Sequence, residues 1–562
     1  MKILLIYPYC LEDRLQEEDV SVVPIGVYYV AALLKEDDYD VEILNWYNIN
    51  KAPERINQVL INKKPDIIGL SILHANRWGG IEIARIAKGI DPDVKIVFGG
   101  IGSTFLWRHF LTNFSEIDFV VIGEGEYTFF RLVKCIENKD YQDIENIKGI
   151  AFRKGNGVVR TEDPDPIQDL DKLPIPAKYF TYQHVTSSRG CPGKCTFCGS
   201  PRFWGRKVRF HSPEYFVDEL ELLYKKGVTF FYFSDDTFTI DKDRVIEICK
   251  KILERNLKIA WVAISRVDCV SEEILYWMRK AGCIQISYGV ESGSEKIRNL
   301  LNKNFKTDQI KEAFLLTTRY GILARAYFIY GSPGESWETI QETIDLIHAI
   351  KPLSIIFYIL DIFPGTALYS DFKRRFGVTD DIWLKRIEDI MYFETDPNLS
   401  RDMILNFGEK LRTTYYQSLH QFVDAIHLID KQELFEMHSD FCSRLGMTFS
   451  HGDYARIEAV KEKDKTAEKL FEKSLSYYPD HRAYLGLGIL KQKRRMYRES
   501  ISILSKGLEH FPNSEPLNIC LGISHIGMRE YRKALEYLLK FQDSKEAANY
   551  IAICYRELAG SG

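Results

Sequence analysis

Between residues 2 and 360 the chain passes again and again through short apolar runs rich in β-branched and aromatic residues, with helical stretches in between. Strands this apolar have no wet face, and parallel neighbours need a long crossover. The alternation therefore predicts helices packed on mostly parallel sheets, an α/β fold. The first series lies at residues 2–7, 41–44, 67–72, 95–98 and 119–122, with helices at 27–34 and 80–89. It predicts a doubly wound, Rossmann-like sheet over residues 1–140, with ligands at the carboxyl ends of its strands. The second series lies at residues 184–187, 230–233, 260–264, 284–288, 325–330 and 355–360, with helices at 213–225 and 241–253. Six βα units predict a curved, partial (β/α)6 barrel over residues 184–375, not a closed eight-fold one. Residues 141–183, which contain TEDPDPIQDLDKLPIPAKYF, are rich in Pro and Asp with weak periodicity and read as an ordered linker.

Strand signals fade after about residue 375, so residues 376–464 read as a helical extension and residues 465–562 as an all-α repeat region. Tyr497 and Tyr531 are 34 residues apart, as are Gly488 and Gly522; Pro479 and Pro512 are 33 apart, and Ser500 and Ala534 occupy a small-residue packing position. This helix–turn–helix period resembles tetratricopeptide repeats, whose concave surfaces take up partners.

With 562 residues the chain is too long for one core, and the usual domain size implies about three or four. A net charge of −4 without a block of one sign argues against a nucleic-acid footprint. The most apolar stretch, residues 353–363, is about half the ~20 residues that a bilayer demands and contains Asp361, so no membrane span is expected. The opening MKILLIYPYC reads as a first strand rather than a secretory leader, which leaves the cytoplasm as the expected compartment. Of eleven cysteines, Cys10, Cys135, Cys249, Cys269, Cys283, Cys442, Cys520 and Cys554 are scattered among apolar neighbours and read as small buried hydrophobes. The 13% aromatic content is read as core packing.

The other three cysteines carry chemistry. Residues 187–200, SSRGCPGKCTFCGS, place Cys191, Cys195 and Cys198 in a CxxxCxxC loop after the first strand of the second series. Three thiolates on one short loop can wrap one face of a [4Fe–4S] cube and leave its fourth iron open to a further ligand. Structural zinc takes four ligands in two pairs, and no second pair lies nearby.

From these residues onward, residues 184–375 resemble the radical S-adenosylmethionine (SAM) superfamily. The resemblance implies that the open iron binds SAM and that reductive cleavage yields a 5′-deoxyadenosyl radical. It also implies roles for matching residues. Phe197 fills the aromatic position that packs by the adenine. Ser234, Asp235 and Asp236 stand where the family binds the SAM amino group, although Gly-Gly-Glu is commoner there. Ser265 and Arg266 end the third strand, where the family contacts carboxylate and ribose. YGVESG at residues 288–293, with Glu291, resembles the Gly-x-Glu-Ser-Gly turn, and YGSPGES at residues 330–336, with Gly331 and Gly334, resembles the Gly-x-Pro-Gly-Glu turn.

Residues 1–140 resemble the cobalamin-binding domain of one branch of that superfamily. The residues that carry this are Ser71 and Leu73 after the third strand, Gly99 and Gly100 after the fourth, Gly123, Glu124, Gly125, Glu126 and Thr128 after the fifth, and the Pro24–Gly26 helix start. Strand-end glycines let backbone approach a nucleotide tail. The Asp-x-His-x-x-Gly motif that supplies a lower cobalt ligand is absent, and His74 stands in the loop that would face the cobalt. The resemblance implies methyl transfer to an unactivated carbon or phosphorus, with a small-molecule or peptide substrate and an external electron donor of the flavodoxin or ferredoxin type. Two other readings stay open: a cyclase or rearrangement enzyme like the anaerobic porphyrin-ester cyclases, and a partner-binding protein with a structural cluster and docking repeats.

Overall fold

The computed structural model describes residues 1–11, 21–49 and 53–560. Strands β1 (Lys2–Tyr7), β2 (Asp40–Asn45), β3 (Ile67–Ser71), β4 (Lys95–Gly99) and β5 (Phe119–Val121) run parallel in the order β2-β1-β3-β4-β5. Alternation along β1 and β3 explains why both faces are dry. Ile3, Leu5 and Ile67 pack into one core, and Leu4, Ile6, Ile68 and Leu70 into another on the opposite side. Ser71 pairs with Gly99, so β3 and β4 end level with one another and their following loops open side by side.

The expected linker is in part sheet. Strands β6 (Ile150–Lys154) and β7 (Gly157–Arg160) add antiparallel to β5, so seven strands form the first sheet and the segment beyond residue 140 belongs to it. The Pro- and Asp-rich stretch that follows carries only short 3₁₀ turns.

Strands β8 (His184–Val185), β9 (Ser188–Arg189), β10 (Arg209–Phe210), β11 (Phe230–Phe233), β12 (Ala260–Ser265), β13 (Cys283–Glu291), β14 (Leu323–Tyr330) and β15 (Ser354–Ile359) build the second layer. Six of them form a parallel sheet in the order β15-β14-β13-β12-β11-β8, and β9 and β10 form a separate antiparallel pair. β8 and β15 do not pair with each other, so the barrel is partial, as expected from the sequence. The helix Pro213–Lys225 covers one face, where Phe216 meets Phe233 edge-on and Phe233 stacks on fully buried Trp261 at 4.3 Å.

After β15 the described chain is helical apart from short connections. From Phe435–Ser450 to Lys545–Ala559 successive helices pack on one another in sequence order. A Cβ on Gly488 would lie 2.5 Å from Leu504, and one on Gly522 2.7 Å from Leu538, so the same close approach recurs in consecutive helix pairs. Among the described residues no helix is long and apolar enough to cross a membrane.

Candidate functional site

The cysteine loop grows from a buried base. Asp235, at the end of β11, accepts hydrogen bonds from the Ser187 amide at 3.1 Å, from Ser187 Oγ at 2.8 Å and from Ser188 Oγ. The chain then turns at Gly190, where φ is +105° and a Cβ would sit 2.8 Å from the Lys207 carbonyl, so only glycine fits. The far side of the loop is clamped through its backbone. Thr196 N donates to Leu301 O, Leu368 N to Thr196 O, and Asn302 Nδ2 to Lys194 O, all within 3.1 Å. Cys191, Cys195 and Cys198 are half-buried and form no disulfide. A Cβ on Gly193 would lie 3.3 Å from Cys191 Sγ, 3.8 Å from Cys195 Sγ and 3.9 Å from Arg266 Nη1, which places two sulfurs and one guanidinium around a single point.

Burial pushes the Cys198 thiol up to about 12 and raises that of Cys195, which Lys303 opposes and Glu291 reinforces. Such thiols become thiolates when a positive centre replaces their protons, which is what an iron cluster supplies. Lys303 Nζ is held by Glu291 Oε1 at 2.8 Å, and Arg266 is held by Asp268 at 2.9 and 2.7 Å. Lys303 follows no motif, and nothing in the sequence singled it out.

The residues expected to bind SAM divide into two groups. Ser234, Asp236, Arg266 and Glu291 stand at strand ends beside the loop. Ser234 Oγ meets His184 Nδ1 at 3.1 Å, Asp236 accepts from Ser200 Oγ, and Glu291 holds a φ of +67°. The Asp235 carboxylate is buried and supports the cysteine loop, which leaves only its backbone at the strand end for SAM. Ser265 is buried on Thr239. Gly331 and Gly334, with φ of +77° and +71°, shape a turn that Glu335 closes by accepting from the Gly331 and Ser332 amides, and burial lifts the Glu335 carboxyl to about 7. Phe197 packs half-buried against the core.

At the carboxyl ends of the first sheet lies an apolar cavity of about 310 Å³. Ser71, Leu73, Gly99, Gly100, Gly123, Glu124, Gly125 and Glu126 line it, and so do Pro24, Gly26, Phe129, Phe203 and Trp204. His74 and Thr128 do not. Thr128 Oγ1 donates to Lys148 O, and His74 Nε2 lies 3.0 Å from Asp361 and 3.1 Å from Asp389 with its ring stacked on Phe363. Burial works against a charge on His74, but the two carboxylates outweigh it and raise its pKa to about 9. The histidine is thus ion-paired to carboxylates far along the same chain and stands outside the cavity lining.

The two acidic residues of GEGE also bind protein. Glu124 pairs with Arg189 at 3.0 Å and Arg209 at 2.8 Å, and Glu126 with Arg189 at 2.6 Å, all buried. Burial alone would raise the Glu124 carboxyl, but the two guanidiniums hold it below its ordinary value. Glu126 Oε2 is buried, with no hydrogen-bond partner among the described residues, at the cavity wall.

The loop and the cavity are joined by a few residues. Gly199 follows Cys198, and a Cβ there would lie 3.4 Å from Ile101, which lines the cavity. Phe203 and Trp204, just beyond, form part of the cavity wall.

Residues 185–347 match the radical SAM superfamily and residues 19–133 match the B12 binding domain. An uncharacterized methyltransferase of Pyrococcus horikoshii is 33% identical over 383 residues, which cover 66% of this chain and 83% of that relative. This chain belongs to the radical SAM superfamily. The anaerobic magnesium-protoporphyrin IX monomethyl ester cyclase of Rubrivivax gelatinosus is 31% identical over 58% of this chain and 62% of its own length. In fold the chain is similar to the radical SAM methyltransferase TsrM of Kitasatospora setae, solved with cobalamin and a [4Fe–4S] cluster, with a TM-score of 0.60 at 15% identity over 84% of this chain and all of that one. The radical SAM enzyme described here takes a [4Fe–4S] cluster and SAM, and cobalamin through its B12-binding domain. The residues fit both groups. The cysteine loop offers three free thiols, and the glycine-lined cavity offers apolar walls with one unpaired buried carboxylate oxygen.

Proposed function

We propose that this radical SAM enzyme is a cobalamin-dependent methyltransferase acting on an unactivated carbon or on phosphorus of a small-molecule or peptide substrate. The observation that carries the reading is the contact of the cysteine loop with the cavity, from Cys198 through Gly199 on Ile101 to Phe203 and Trp204. When bound, the cluster with SAM supplies a substrate radical and the corrinoid a methyl group, so such chemistry requires their sites to be neighbours. Cys191, Cys195 and Cys198 would hold the cluster. Arg266 and Glu291 would orient SAM. Ser71, Leu73 and the glycines at 99, 100, 123 and 125 would seat cobalamin. Apolar walls and the ion-paired rim exclude water from the seam. Electrons would come from a flavodoxin- or ferredoxin-type donor, and the C-terminal helix pairs, read as tetratricopeptide-like from the recurring Gly488–Leu504 and Gly522–Leu538 approaches, would dock a partner.

The test is anaerobic reconstitution with iron, sulfide and hydroxocobalamin, then SAM and a reductant, with 5′-deoxyadenosine and S-adenosylhomocysteine quantified by mass spectrometry. Both products are expected, and Cys195→Ala should abolish the first. The similarity to the cyclase favours a second reading, oxidative cyclisation or rearrangement. Formation of 5′-deoxyadenosine without S-adenosylhomocysteine would decide for it.

A further inference from the structure

The six-stranded parallel sheet covers only one of its faces. Phe231, Phe233, Trp261, Ala326 and Phe328 point to the helix layer and are buried, whereas the alternate side chains point the other way and, apart from small Ser287 and Ser354, are more exposed. Tyr232 is 39% exposed and Ile264 37%, and Tyr327 and Ile329 are half-buried. Parallel sheets ordinarily bury both faces, so an aromatic, aliphatic surface of this kind is built for contact. His184 stacks on Tyr232 at 4.3 Å, which makes one flat platform, and Tyr327 meets Tyr358 edge-on at 5.9 Å, so aromatic rings border this face on two sides.

One charge stands on this face. The register places Ile264, Ser287, Arg325 and Ser354 in one row and His184, Tyr232, Val262, Gln285 and Leu323 in the row before it. Of these nine, Arg325 alone carries a full charge, because burial holds His184 below its ordinary value and therefore neutral at pH 7. Arg325 Nε donates to Ser354 Oγ at 2.9 Å. At the amino-terminal end of these strands stands Tyr454, whose hydroxyl donates to Leu353 O at 2.7 Å and meets Tyr415 at 3.2 Å. The other end opens at the cysteine loop, where Glu291 and Arg266 already have partners of opposite charge.

We propose that Arg325 holds an acidic group of the substrate on this face, and that the substrate is an elongated, largely apolar molecule with a flat ring that meets the His184–Tyr232 stack. The proposal rests on the radical SAM reading for the location of the reacting end. From Arg325 to the end of β14 at Tyr330 the strand rises roughly 16 Å, which sets the span between the acid and the reacting carbon.

The test uses enzyme loaded with cluster and cobalamin and two fluorescent probes that share one ring system. These are 1-anilinonaphthalene-8-sulfonate, which is anionic, and N-phenyl-1-naphthylamine, which is neutral. The loaded enzyme should bind the sulfonate about tenfold more tightly, as one charge-assisted contact implies. Arg325→Leu and Arg325→Gln should bring the two affinities within about twofold, and Ile264→Trp should weaken both probes about tenfold by filling the face. Cluster absorbance and bound corrinoid equal to those of the parent identify variants that have folded, and the two Arg325 variants back each other. Unchanged sulfonate affinity in both Arg325 variants, unchanged binding of both probes in Ile264→Trp, or no binding to the parent enzyme would overturn the proposal. Failure of the radical reading would appear separately, as absence of 5′-deoxyadenosine.

Discussion

Glu124 and His74 both stand at strand ends of the first sheet, and both spend their charge on residues far beyond it in the chain. Glu124 satisfies Arg189 and Arg209 in a buried cluster. Removing one partner of such a cluster leaves an uncompensated buried charge, at a cost of about 3–5 kcal/mol. Glu124→Gln should therefore lower the unfolding free energy by that order in denaturant titration. Adding Arg209→Met should recover part of the loss, and strict additivity would show that the pair is not coupled. His74 gives a pH signature. Its folded pKa of about 9 lies above the usual 6.5, so its contribution is complete below pH 6.5 and is lost as pH rises through 9. Stability should fall by roughly 3 kcal/mol across that window, and His74→Gln should flatten the slope. Their strand-end positions were legible in the sequence, but the directions of their side chains were not. The nearer partner of Glu124 lies 65 residues away and that of His74 287 away, and a motif read along the chain has no access to either. The three cysteines were legible because their ligand spacing is local, and Lys303 was not, since only the fold brings it to Cys195.

At the scale of elements, the turn after β13 shows what its glycine is for. A Cβ on Gly293 would lie 2.3 Å from Thr343 Cα and 2.4 Å from the Glu342 carbonyl, both in the backbone of the helix Trp337–Ile350. That helix caps the loop that presents Glu291, and Thr343 Oγ1 accepts from the Gly293 amide at 3.0 Å. Gly293→Ala must push helix and strand apart, so a loss of about 1–3 kcal/mol is expected, with cluster content falling alongside the denaturation midpoint. Long, apolar parallel strands such as β1 and β3 declare themselves because both faces must be dry. β6, β7, β9 and β10 did not, for opposite physical reasons. β6 and β7 form a half-exposed antiparallel edge without a continuous apolar run, and β9 and β10 are two residues each, fixed by the ion pairs of Arg189 and Arg209 rather than by pattern.

At the scale of the molecule, two sheets present their carboxyl ends to one seam, and a single stretch of chain, Cys198 to Trp204, serves both. Trp204 lines the cavity while its ring carries the Arg189 guanidinium at 5.1 Å, so the wall, the loop and the ion cluster are one mechanical unit. The loading of one cofactor therefore reports on the other. Any factor by which an assembled cluster tightens corrinoid binding is, by thermodynamic reciprocity, the factor by which corrinoid protects the cluster, and couplings of this kind run to about 1–3 kcal/mol. Equilibrium dialysis should find hydroxocobalamin held about tenfold more weakly by Cys198→Ala, although the lost thiol does not line the cavity. Equal affinity would mean that the two sites mature independently. A cell short of iron would, on this arrangement, also hold less of the enzyme charged with vitamin.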